Sequence, residues 1–132
     1  MSNAISFSAR QYYFAKNYPE ALNCINKLTE ADLMSEDDYL VAARLTRLTG
    51  NTYESNLKAL EYLEKSVGNA GGNDLMDIQA EYGLIYLRLG KPEEARVSFE
   101  KYKRSLESLP DNSKNIEEIK WAESMIRKCQ LF

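Results

Sequence analysis

Few residues in this chain could do chemistry, and histidine, the most common general base and neutral metal ligand, is absent. The best candidate for a cation site is the acidic run Glu36-Asp37-Asp38, but its spacing differs from that of an EF-hand loop. Acidic residues are also common at helix N-termini, where they interact favourably with the helix dipole. Motifs for phosphate, dinucleotide, serine-hydrolase and zinc-protease sites are missing. The sequence therefore predicts a protein that is not an enzyme and uses no metal ion or other cofactor.

The two cysteines, Cys24 and Cys129, lie far apart in the sequence and belong to no Cys-x-x-Cys pattern. We expect both to be small packing residues of a reduced protein. The N-terminus lacks the basic and apolar stretches of a signal peptide, and the chain has no long apolar run. These features predict a cytoplasmic protein that does not interact with membranes.

The length and charge of the chain narrow the choice of partners. Its 132 residues fit one domain, residues 1–132, and 44% hydrophobic and 28% charged residues are ordinary values for a globular protein. Seventeen lysines and arginines against twenty acidic residues give a net charge of −3. This excess of acidic residues weighs against nucleic-acid binding, which needs a basic surface.

Turn-forming residues divide the chain into seven stretches with helical spacing. Pro19 and Pro92 begin two of these stretches, Pro110 follows another, and most of the glycines lie between them. Capping-box patterns that begin at Ser35 and at Asn115 mark two of the helix starts. Because the connections are short, neighbouring helices are expected to be antiparallel. The predicted helices lie at 4–16, 19–29, 36–49, 53–67, 74–89, 92–109 and 115–130.

These helices form pairs with a recurring pattern. Ala21, Ala59 and Ala95 each begin the apolar stripe of a second helix, and a larger apolar residue follows each one turn later. A small residue lets two helices cross closely, and the larger residue fills the space beside the crossing. The alanine of the second pair comes about one turn later than its counterparts, which predicts a longer turn or an extra half-turn there.

The third pair resembles a tetratricopeptide repeat. A small Gly83, an aromatic Tyr86, a turn at Gly90, a crossing Ala95 and an aromatic Phe99 follow one another at that family's spacing. The first pair is a fair match, and the second is weaker. The resemblance implies an all-α fold, a right-handed superhelical array of antiparallel helix pairs.

In such an array the chain contains three repeats and a closing helix. The repeats cover about residues 4–34, 35–73 and 74–110, and a capping helix covers about residues 115–130. Trp121 and Met125 either extend the packed stripe of this cap or form an edge that meets a partner.

The first helix of every pair in such an array lines a concave groove. Four arginines are expected to share that surface of an otherwise acidic protein, and guanidinium groups suit carboxylates and phosphates. In the other interpretation these arginines are solvated or pair with Asp37 and Glu81. The residues predicted to line the groove are Arg10, Tyr13, Leu40, Arg44, Arg47, Leu84 and Arg88.

A groove with this lining predicts a protein–protein interaction or scaffold module that binds a peptide or helical segment, including acidic ones. One alternative is a self-associating structural subunit, a homo-oligomer. The first pair has no capping helix before it and is expected to expose Phe7, Phe14 and Ile25. Another alternative is a chaperone similar in size and repeat number to those of type III secretion systems.

Overall fold

The computed structural model of the chain describes residues 2–67, 73–110 and 115–131. These residues contain helices and no strand, which confirms the all-α class. Every helix begins and ends within two residues of its predicted bounds. The helices are α1 (Ser2–Phe14), α2 (Tyr18–Glu30), α3 (Glu36–Thr49), α4 (Tyr53–Val67), α5 (Asn73–Arg88), α6 (Pro92–Glu107) and α7 (Ile116–Cys129).

One of the two predicted capping boxes is present. The Ser35 hydroxyl accepts a hydrogen bond from the Asp38 N–H at 3.2 Å, and the Asp38 carboxylate accepts one from the Ser35 N–H at 2.9 Å. The prediction for Asn115 is wrong, because its side chain makes no capping hydrogen bond. Its ψ of 7° differs from the extended backbone that aims a capping side chain at the first turn.

A capping pair that was not predicted starts α4. The Thr52 hydroxyl accepts a hydrogen bond from the Ser55 N–H at 3.0 Å, and the Ser55 hydroxyl accepts one from the Thr52 N–H at 3.1 Å. This pair fixes the first residue of α4 at Tyr53. The buried Ala59 therefore lies in the second turn of its helix, whereas Ala21 and Ala95 lie in the first turn of theirs.

The chain divides into two compact units, residues 1–70 and 71–132. In the first unit α1 packs against α2, α3 packs against α4, and α3 also contacts both α1 and α2. Small and large apolar side chains together form the core of this unit. The core residues are Ala9, Ala21, Ile25, Leu28, Val41, Ala42 and Leu45.

In the second unit α6 packs against both α5 and α7. A Cβ atom added to Gly83 would lie 2.5 Å from the ring of Phe99, so α5 and α6 approach closely where Gly83 has no side chain. Trp121 meets the rings of Phe99 and Tyr102 edge-on, at centroid distances of 5.6 and 5.9 Å. Met125 is buried in the same core and extends the packed stripe, whereas Trp121 keeps 37% of its surface exposed.

The first helix pair was expected to expose three apolar residues, and the structure confirms this for two of them. Phe7 and Phe14 are 59% and 71% exposed, but Ile25 is only 2% exposed. Ile25 lies one turn after Ala21 and one turn before Leu28 on α2, so it shares their buried stripe.

The turn expected at 68–72 lies outside the described residues. No helix in the described part of the chain combines the length and apolar character needed to cross a bilayer.

Candidate functional site

The outward side of α3 carries three of the residues predicted to line the groove. Asp38, Val41 and Leu45 are buried and mark the side of α3 that faces the core. A helix turns by about 100° per residue, so residues 40, 44 and 47 lie about 120–180° around α3 from Asp38. These outward positions include Leu40, Arg44 and Arg47, and each of the three side chains is half-buried.

Arg10 on α1 lies beside α3 instead of projecting free into solvent. Its Nη1 atom lies 3.7 Å from Oδ1 of Asp38, and its side chain is 37% exposed. The sequence suggested Asp37 and Glu81 as partners for the groove arginines, but the carboxylate next to Arg10 is that of Asp38. The guanidinium group thus faces a buried carboxylate with one edge and keeps part of its surface accessible.

Asp38 is the polar centre of the contact between α1 and α3. Its side chain is fully buried, and Oδ2 accepts hydrogen bonds from the Ser6 hydroxyl and the Ser35 N–H, both at 2.9 Å. Oδ1 has no hydrogen-bond donor, so the nearby positive charge of Arg10 is the interaction that compensates it. One carboxylate therefore caps α3 and also attaches α1 to it.

Ser6 and Tyr13 on α1 have packing roles. Ser6 is only 8% exposed and donates its hydrogen bond to Asp38. Tyr13 is half-buried against the core of the first unit, with its ring 5.5 Å from that of Phe14 and 6.2 Å from that of Tyr18. Neither side chain contributes a charge to a binding surface.

The remaining two predicted residues, Leu84 and Arg88, belong to α5 in the second unit. Leu84 is half-buried against the core formed by Phe99 and Met125, and Arg88 is exposed at the end of α5. Glu81, also expected to face the groove, is only 6% exposed. Five predicted residues thus lie in one unit, where Arg10 and Tyr13 of α1 are not brought to the side of α3 that carries Leu40, Arg44 and Arg47. The other two lie on α5 of the second unit.

Two titratable side chains of the second unit, Cys129 and Tyr102, are buried and half-buried. Burial raises the pKa of the Cys129 thiol and, with the negative charges of Asp77 and Glu118, that of the Tyr102 hydroxyl. A thiol held in its protonated form is a poor nucleophile. In the described residues, no three cysteine, aspartate or glutamate side chains come together as a metal site.

The link between Ser6, Arg10 and Asp38 is the polar feature that the sequence did not predict. The capping-box pattern placed Asp38 at the start of α3, but its partner Ser6 lies 32 residues earlier in the chain. A capping acid on a helix that packs against another helix can accept a further hydrogen bond from that second helix. The capping-box pattern in the sequence does not identify the donor.

Comparisons with protein-family models, with curated proteins and with solved structures find no match to this chain.

Proposed function

We propose that the chain is a tetratricopeptide-like array of three helix pairs and a capping helix, and that it works as a protein–protein interaction module without enzymatic activity. Its ligand is a peptide or helical segment with carboxylate and apolar side chains. The observation that carries the proposal is the outward side of α3, where Leu40 lies beside the half-buried Arg44 and Arg47. Half-buried arginines beside an apolar residue are typical of binding hot spots.

Corresponding residues in the first and third helix pairs support the repeat. A shallow groove runs between α1 and α2, and another runs between α5 and α6. In each groove the first helix supplies a tyrosine, and the second supplies a glutamate just before its buried alanine and a lysine further along. These residues are Tyr12, Glu20 and Lys27 in the first pair and Tyr86, Glu94 and Lys101 in the third.

The contact between Asp38 and Arg10 supports the site because it holds α1 against the opposite side of α3. A fixed α3 keeps its outward side preorganised, and preorganisation lowers the entropic cost of binding. The two free cysteines fit a reducing compartment, so the proposal places the protein in the cytoplasm.

Peptide selection on the purified chain tests this function. We expect a displayed library of linear peptides to yield binders rich in Asp and Glu beside apolar residues. The Arg44→Ala and Arg47→Ala variants should each bind the selected peptides at least about tenfold more weakly, because each removes a partly desolvated guanidinium group. Fluorescence polarisation with a labelled peptide measures the affinity, and circular dichroism should report unchanged helicity.

Lys120→Ala and Lys128→Ala, two exposed cations on α7, provide the matched control. They remove the same unit of charge from the protein but should leave the affinity unchanged. If the selected peptides bind the two arginine variants as tightly as the original chain, this side of α3 is not the binding surface. If the lysine variants weaken binding equally, the effect is one of net charge only.

A further inference from the structure

A groove between the start of α5 and the end of α6 is lined by cations and neutral hydrogen-bond donors. It holds about 370 Å³, within the range of about 300–1,000 Å³ that is usual for small-ligand sites. Lys101 and Arg104 lie one turn apart on α6, and Gln79 lines the groove from α5. None of the described residues around the groove is acidic. They are Leu75, Gln79, Lys101, Arg104, Ser105 and Ser108.

Two of the four cations of α6 have acidic partners, and the other two line this groove. Arg96 is paired with two acids of α6 at 3.0 and 2.7 Å, and Lys103 is paired with Glu123 of α7 at 3.2 Å. Lys101 and Arg104 form no ion pair with any residue that the structure describes. The helix dipole favours a cation such as Arg104 in the last turn, but Lys101 lies before that turn.

Nearby acids of α6 do not compensate the charges of these two cations. Glu100, one turn before Arg104, is already paired within α6 at 2.7 Å, and Glu107, one turn after it, forms no ion pair with Arg104. Glu94 shares a neighbouring groove with Lys101 but lies two turns before it, about 10.5 Å along the helix axis. Two like charges therefore stand side by side in the groove without an anion.

The groove also contains two neutral donors without partners. The Ser105 hydroxyl and the Gln79 side-chain amide are half-buried, and neither makes a hydrogen bond with the part of the chain that the structure describes. Two cations and two neutral donors thus line one groove without an acceptor. We propose that this groove binds the phosphate group of a phosphoserine or phosphothreonine in a partner protein.

A phosphate group suits this set of donors better than a carboxylate does. A phosphate monoester carries a charge of about −1.5 to −2 at pH 7 and three strong acceptor oxygens. That charge compensates both Lys101 and Arg104, whereas a single carboxylate would leave one of them uncompensated. Leu75, which is 39% exposed at the same groove, offers an apolar contact to a residue next to the phosphorylated one. The site shares no residue with the binding surface proposed on α3.

Fluorescence polarisation with labelled peptide pools tests the proposal on the full chain. One pool has a central phosphoserine between randomised positions, and a second pool has serine in its place. The chain should bind the phosphoserine pool at least about tenfold more tightly, because charge-assisted hydrogen bonds to phosphate replace neutral ones. The double variant Lys101→Gln, Arg104→Gln should lose this preference and still fold, because both side chains are exposed.

The double variant Arg127→Gln, Lys128→Gln is the matched control. It removes one arginine and one lysine, both exposed, from the last turn of α7 and should keep the preference for phosphoserine. The Arg44→Ala and Arg47→Ala variants should keep it as well, so a failure of the α3 surface and a failure of this site are distinguishable. Equal binding of the two pools overturns the proposal. A preference that survives the loss of Lys101 and Arg104, or that any of the other variants abolishes, also overturns it.

Discussion

Replacing Asp38 by alanine should destabilise the first unit more than any other single change at the start of α3. The substitution removes the acceptor of two hydrogen bonds, those from the Ser6 hydroxyl and the Ser35 N–H. It also leaves Arg10 without the carboxylate that faces it at 3.7 Å. Since Asp38 is fully buried, water cannot replace these interactions without opening the contact between α1 and α3.

The size of the effect follows from each lost contact. Loss of a capping interaction costs about 1 kcal/mol. A buried hydroxyl without an acceptor, which is the fate of Ser6, costs about 1–3 kcal/mol more. Removing the need to keep a carboxylate out of water offsets part of this sum. We expect the free energy of unfolding of the first unit to fall by about 2–3 kcal/mol.

Hydrogen exchange measured by mass spectrometry with added urea separates the two units. Peptides from 36–49 report on the first unit, and peptides from 92–107 report on the second, where exchange should not change. Asp37→Ala is the matched control because Asp37 is an exposed acid in the same helical turn. It loses only the helix-dipole interaction, about 0.3–1 kcal/mol.

Two results would refute this reasoning about Asp38. In the first, Asp38→Ala costs no more than Asp37→Ala. In the second, the Ser6→Ala and Asp38→Ala effects simply add in a double-mutant cycle, although residues in direct contact normally show a coupling energy of at least about 0.5 kcal/mol. Either result would mean that the hydrogen bond between α1 and α3 contributes nothing measurable.

Three further changes test other parts of the structure. Gly83→Ala should lower the free energy of unfolding by about 1–3 kcal/mol despite the better helix propensity of alanine, because the added carbon meets the ring of Phe99. A melting temperature at or above that of the original chain would contradict this expectation. Burial raises the pKa of Cys129, so a thiol reagent at neutral pH should modify the half-buried Cys24 first and should reach Cys129 only after unfolding. Equal rates of modification at the two cysteines would contradict this expectation. Arg10→Ala should lower the stability of the first unit but weaken peptide binding less than either α3 arginine variant; the reverse order would show that Arg10 acts mainly on the ligand.

The helix bounds could be predicted from the sequence because local chemistry decides them. Proline occupies the first turn of α2 and of α6, where its missing N–H costs no hydrogen bond, and Gly90 has a φ of 72° after α5. Asn115 shows the limit of such patterns. An asparagine before two glutamates fits a capping box, but its backbone angles do not bring its side chain to the first turn.

The polar contacts of the candidate site could not be predicted, because they join distant parts of the chain. The pattern from Ser35 to Asp38 predicts a cap, but the attachment of Ser6 depends on how α1 packs on α3. The burial of Ile25, by contrast, could have been predicted, because Ala21, Ile25 and Leu28 follow one another at one-turn spacing on α2.

The position of Arg10 also bears on which arginines recognise a ligand. A guanidinium group that already faces a buried carboxylate gains less from a second acid, because part of its charge is compensated before the ligand arrives. It also cannot move toward the ligand without uncovering Asp38. The arginines of α3 lie on the side of the helix opposite this carboxylate, so binding a ligand there does not disturb the contact that holds α1 in place. Arg10 should therefore contribute more to the packing of α1 on α3 than to the affinity for acidic segments.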